Sequence, residues 1–120
     1  NTIINSIKSL VYQTYENIEI IIVNDCSTDS SMNILNLFIK NNSNENIYLY
    51  NTPKNLGCYY ARNYGISKSK GTYIAFQDPD DYSDFNRIKN QMNDIFKYKV
   101  QISLCNIYRF NHIRPNIDNF

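Results

Sequence analysis

The chain has 120 residues, 42% of them hydrophobic, and a formal net charge of +1. That length suits one compact domain, or a large piece of one, with a real core. A near-neutral balance with no basic stripe speaks against nucleic acid or a bulk membrane surface as partner, and the longest apolar stretch, Ile18 to Val23, is broken by Glu19 and far too short to span a bilayer.

From Thr2 to Gln13, Ile3, Ile4, Ile7, Leu10 and Val11 recur at helical spacing and predict an amphipathic helix. Ile18 to Asn24 is a dense β-branched run and reads as a buried parallel strand. Residues 25–29 form a loop, and Met32, Ile34, Leu35, Phe38 and Ile39 place a second helix after it. Asn46 to Tyr50 is a short alternating strand, followed by a third helix around Tyr59 to Ser67. Thr72 to Gln77 reads as another strand. A fourth helix is expected from about Phe85 to Tyr98, with Asp84 as its N-cap and Ile88, Met92, Ile95 and Phe96 on one face. Val100 to Tyr108 reads as a last strand and 111–120 as loop. Such alternation predicts an α/β fold with a largely parallel sheet, in a single domain over residues 1–120.

Cys26, Cys58 and Cys105 are odd in number and widely spaced, which fits reduced thiols in a cytoplasmic setting and argues against zinc. His112 stands far from any cysteine and reads as a surface or packing residue. The glycosylation-type pattern Asn41, Asn42, Ser43 carries little weight in so asparagine-rich a chain.

Three polar clusters fall at the expected strand ends, where open α/β sheets bind ligands. Asp78, Asp80 and Asp81 occupy three of four consecutive positions. Carboxylates at about 4 Å repel by roughly 1 kcal/mol per pair even in bulk water, so such a cluster favours a bound cation. Pro79 biases Asp78 toward extended backbone, placing the Asp78 and Asp80 side chains to one side of a loop. Mg²⁺ or Mn²⁺ held by one or two carboxylates and by diphosphate oxygens would suit it. An acidic turn feeding the next helix is the plainer alternative.

The second cluster runs from Asn24 to Asp29. Asp25 can accept the N3 hydrogen of uracil, a donor that cytosine lacks, whereas Asp29 is equally well read as a helix cap. Asn55, Leu56, Gly57, Ala61, Arg62, Asn63 and Gly65 make the third. The Arg62 fork suits a phosphate or the clustered carboxylates, and Gly57 permits close backbone approach or a positive φ.

The strings IEIIIVNDCSTDSS (18–31) and NLGCYYARNYGISKSKGTYIAFQDPDDYSDFNRI (55–88) resemble the nucleotide-binding half of inverting family 2 glycosyltransferases of GT-A fold. Members carry strings close to IIVDDGSTD and NxGxxxARNxGIxxxxGxYIxFLDxDD, in that order. The resemblance implies a Rossmann-like, three-layer α/β fold with a mostly parallel central sheet. It implies that Asp25 contacts the nucleotide base and that Arg62 supports the diphosphate or the acidic loop. Asp78 and Asp80 would form the DxD pair, with Asp80 the direct metal ligand and Asp78 facing the ribose or sugar. Asp81 would lie near the donor sugar. The implied activity is a hexosyltransferase-type transfer from a nucleotide-diphosphate sugar, UDP-linked by the Asp25 reading, to a saccharide, lipid-linked or protein acceptor hydroxyl, with inversion and with Mn²⁺ or Mg²⁺ as cofactor. Polysaccharide biosynthesis and a place at the cytoplasmic membrane face, through parts outside this chain, are further implications.

Departures from the family pattern are Asn24 for an acid, Cys26 for glycine and Phe85 for proline; cysteine at position 26 predicts that no positive φ is needed there. By the resemblance, the first strand would precede Asn1, and the acceptor-binding half and catalytic base would follow, so a fragment is expected. A catalytically inactive nucleotide-sugar-binding module is the alternative reading. A receiver-like signalling domain lacks its phosphoacceptor pattern here, and a dinucleotide oxidoreductase lacks GxGxxG after a strand.

Overall fold

A computed structural model of the chain describes residues 2–42 and 46–107. Its elements are α1 (Thr2–Val11), β1 (Ile20–Asn24), α2 (Ser31–Asn41), β2 (Ile47–Asn51), α3 (Cys58–Lys68) and α4 (Arg87–Tyr98). The chain divides into two compact units, one made of Asn1–Glu16 with Gln77–Phe120 and the other of Asn17–Phe76.

In the unit 17–76, the β-branched run makes β1, which pairs in parallel with β2 from Ile20↔Ile47 to Asn24↔Asn51. Parallel neighbours need a long crossover, and α2 lies within it. Asp29 holds the start of α2, its Oδ1 accepting the Ser31 N–H at 2.9 Å. Hydrogen bonds from Ser31 keep this carboxyl below the usual range; the N-cap itself is Ser30, so Asp29 closes a turn one residue ahead of the cap. Helix α3 runs against β1 at Gly65, where a Cβ would stand 3.3 Å from Val23 Cγ2 and 3.7 Å from Ile21 Cγ2. The buried apolar side chains here are Ile20, Leu35 and Ile47.

In the other unit the buried apolar side chains are Ile7 and Ile95. The stripe of α1 expected to be apolar is instead mixed, with Ser6 and Ser9 buried beside Ile7. On α4, Ile95 is buried but Phe96 is 63% exposed and leaves the predicted face.

Two expected strands do not form among the described residues. Thr72 to Gln77 has the propensity of a strand, yet β1 and β2 are the only paired strands described, and propensity cannot replace a hydrogen-bonding neighbour. Residues 100–107 are irregular for the same reason, with Ile102, Leu104 and Ile107 exposed. Tyr108, His112, Ser43 and the expected terminal loop lie outside the described residues. Helix α4 starts at Arg87, with Asn86 as N-cap. Asp84 is not that cap: its Oδ1 accepts the Asn86 N–H at 2.8 Å, and its C=O accepts the Arg87 N–H at 3.0 Å, closing a turn ahead of the helix.

Candidate functional site

The Asp25 loop leaves the end of β1 and is pinned on three sides. Asp25 Oδ1 accepts the Thr52 hydroxyl at 2.6 Å and the Leu56 N–H at 3.0 Å. Its Oδ2 accepts the Gly57 N–H at 2.7 Å and shares the Leu56 N–H at 3.1 Å. These bonds, Thr52 first and then the Leu56 amide, hold the carboxyl below its usual range and outweigh the opposing effect of partial burial. One carboxylate thus joins the end of β1, the residue after β2 and the start of α3.

The backbone around this clamp is unusual at two positions. Gly57, the N-cap of α3, has φ +86°, and a Cβ there would meet nothing within 4 Å. Glycine is therefore required by torsion and not by space. Cys26 has φ +57°. The expectation that cysteine signals ordinary backbone at this position is wrong: the loop takes a left-handed residue where the family pattern has glycine, at a cost of about 1–2 kcal/mol. Cys26 Sγ, 3.3 Å from the Thr52 carbonyl, donates to it. Asn24 ties the strand ends, its Nδ2 donating to Asn51 Oδ1 at 2.9 Å and its Oδ1 accepting the Ser27 N–H at 3.0 Å. That pair explains how an uncharged residue serves at position 24.

Arg62 projects from α3 and is exposed, with its guanidinium carbon 5.9 Å from the centroid of the Phe76 ring. A guanidinium over an aromatic ring at this distance makes a cation–π contact.

Asp78, Asp80 and Asp81 belong to the other unit and are all exposed. Asp81 N–H donates to the Asp78 C=O at 3.1 Å, closing a β-turn with Pro79 at its second position, the position whose φ proline pre-sets. The turn is held by its backbone. Ser6 Oγ donates to the Asp78 C=O at 3.1 Å, and Gln77 Nε2 donates to the Asp81 C=O at 3.0 Å. Among the described residues, the carboxylates of Asp80 and Asp81 accept no hydrogen bond from the chain.

Behind the turn stands a polar network that sequence reasoning missed. Gln77 Oε1 accepts the Ser83 hydroxyl at 2.6 Å and Arg87 Nη1 at 2.8 Å, while its Nε2 also donates to Ser6 Oγ at 3.2 Å. Arg87 Nη1 reaches Ser83 Oγ at 2.7 Å, and the Ser83 N–H donates to Ser9 Oγ at 3.1 Å. Gln13 donates to the Asp84 C=O at 2.7 Å and accepts the Ile88 N–H at 2.9 Å, joining α1 to the start of α4. No buried side-chain polar atom among the described residues lacks a partner. Ser6, Ser9 and Gln13 are spaced three and four apart, so their shared helical face was a usable signal.

No three His, Cys, Asp or Glu side chains among the described residues converge as a metal cage. The turn offers exposed carboxylates on a fixed backbone, a donor set that fits a hard cation that retains waters and takes phosphate oxygens, as Mg²⁺ and Mn²⁺ do. The Asp25 loop with Arg62 and the acidic turn fall in separate units. No helix among the described residues is long and apolar enough to cross a membrane.

Residues 1–118 match the family model described as Glycosyl transferase family 2. The chain is 37% identical over 103 residues to Glycosyltransferase GlyA of Streptococcus pneumoniae serotype 4, covering 86% of this chain and 14% of that protein. It is 38% identical over 115 residues to UDP-Glc:alpha-D-GlcNAc-diphosphoundecaprenol beta-1,3-glucosyltransferase WfaP of Escherichia coli, covering 90% of this chain and 41% of that protein. Less than half of either relative is therefore spanned. The crystal structure of S. aureus TarS 1-349 in complex with UDP matches with a TM-score of 0.71 and 25% identity, covering 81% of this chain and 29% of that one.

Proposed function

The chain belongs to glycosyl transferase family 2 and has the α/β architecture of the GT-A fold, and from that premise we propose that it is the donor-nucleotide half of an inverting glycosyltransferase using a UDP-sugar. In this reading Asp25 accepts the uracil N3–H and Arg62 supports the diphosphate or the acidic loop. Asp80 is the direct ligand of Mn²⁺ or Mg²⁺, Asp78 joins it or faces the ribose, and Asp81 lies near the donor sugar. The acceptor hydroxyl is that of a saccharide, a lipid-linked sugar or a protein, and inversion requires a carboxylate general base to take its proton.

The observation that carries the reading is the contrast in how the chain uses its carboxylates. Asp25 is held ionised by three donors, as an acceptor-only base reader must be. Asp80 and Asp81 present exposed oxygens on a turn whose backbone is already satisfied. When bound, the cation supplies charge neutralisation for the departing diphosphate. The chain itself contributes a turn closed by its own backbone, an ionised base reader and a guanidinium beside an aromatic ring.

Calorimetric titration of the full-length protein with UDP, with and without Mn²⁺, tests the reading. Metal-dependent binding is expected, and equal affinity in the two conditions would reject it.

A further inference from the structure

We propose that Thr52 is a positioning residue for Asp25, so that discrimination between uracil and cytosine nucleotides depends on a buried hydroxyl that does not touch the nucleotide. The inference rests on Asp25 as base reader and adds what makes it selective.

Thr52 follows β2 and is 4% exposed. Its N–H donates to the Asn24 C=O at 3.0 Å, continuing the parallel pairing beyond the strand ends and fixing the Thr52 backbone against β1. Its Oγ1 lies 2.6 Å from Asp25 Oδ1, 2.8 Å from the Lys54 C=O, 3.5 Å from the Asn24 C=O and 4.0 Å from Cys26 Sγ. A hydroxyl has one proton to give. The ionised carboxylate is the shortest contact and the stronger acceptor, so the proton goes to Asp25.

This assignment fixes which oxygen remains for a ligand. Oδ1 is taken by Thr52 and by the shorter of the two Leu56 contacts. Oδ2 has one strong donor, Gly57, and only a shared claim on Leu56. With roughly four acceptor sites on a carboxylate, the open one is on Oδ2. Rotation about the terminal torsion of an Asp side chain is soft, and the Thr52 bond stops that rotation. The same bond is the largest influence keeping the carboxyl ionised, and only the ionised form is acceptor-only at both oxygens.

The test is the ratio of UDP to CDP affinity of the full-length protein, measured by calorimetry with Mn²⁺. Thr52→Val keeps size and branching but removes the hydroxyl, and the ratio is expected to fall about tenfold. Thr52→Ser keeps the hydroxyl and is expected to stay within about twofold of the parent. Equal weakening of UDP and CDP by valine, or failure of serine to preserve the ratio, would overturn the proposal while leaving the wider function intact. Should the valine variant not fold, Thr52→Ala makes the same deletion. Misfolding of both would assign Thr52 to the fold alone and also overturn it. A parent protein with no preference for UDP would instead remove Asp25 as base reader.

Discussion

The Asp25 loop and the 78–81 turn use the same side chain in opposite ways. Asp25 spends its carboxylate on the protein, accepting Thr52, Leu56 and Gly57. The turn is held through its carbonyls by Ser6, Gln77 and Asp81, and Asp80 and Asp81 accept nothing from the described chain. A carboxylate with several internal donors is part of the architecture even where it also reads a ligand. One with none is free to be spent on an external cation.

Asp80→Asn is expected to have the largest effect on function and almost none on the fold. Metal-dependent UDP affinity should fall by roughly a hundredfold or more, since a neutral amide is a poor ligand for a hard cation, while the thermal midpoint stays put. A lowered midpoint would erase the contrast with Asp25. Gln77→Leu probes what stands behind the turn. It leaves Ser83, which is 2% exposed, and Arg87 without their shared acceptor, and should cost about 2 kcal/mol in urea unfolding with an unchanged m-value.

The pH dependence sharpens the comparison further. Asp25 and Asp29 have depressed values in the folded chain. Their stabilisation is therefore complete above the unfolded carboxylate value of about 3.9 and is lost as pH falls through the lower folded values. Midpoints measured from neutral to acid pH should drop less steeply in Asp25→Asn than in the parent. The smallest effect is expected at Cys26→Gly. Relief of a left-handed cysteine is offset by loss of the Sγ contact and by a freer unfolded chain, so the change should be within about 1 kcal/mol by denaturant titration.

Much of the unit 17–76 is legible in the sequence. The β-branched run before Asp25, the apolar spacing from Met32 to Ile39 and the turn chemistry around Gly57 encode β1, α2 and the start of α3 locally. Residues 72–77 mislead because a strand is a property of two segments, and propensity reports on one. At Asp84 the right kind of side chain closes a turn slightly too early, so a cap signal displaced the expected start of α4 by two residues. In the candidate site, Asp25, Arg62 and the acidic triplet are visible as residue types. Gln77, Ser83 and Arg87 are not, because apolar periodicity treats polar side chains as solvent-facing, and a satisfied network looks the same as a surface until partners are known; Ser6 and Ser9 leave only the trace of a shared helical face.

The Pro79 turn is closed by its own backbone and braced by Ser6 and Gln77. If the turn holds the cation proposed above, capture would need little reorganisation of the backbone, and its speed would follow how readily the ion sheds water. Magnesium, which dehydrates reluctantly, should then load more slowly than manganese, a difference a pre-closed turn would leave visible.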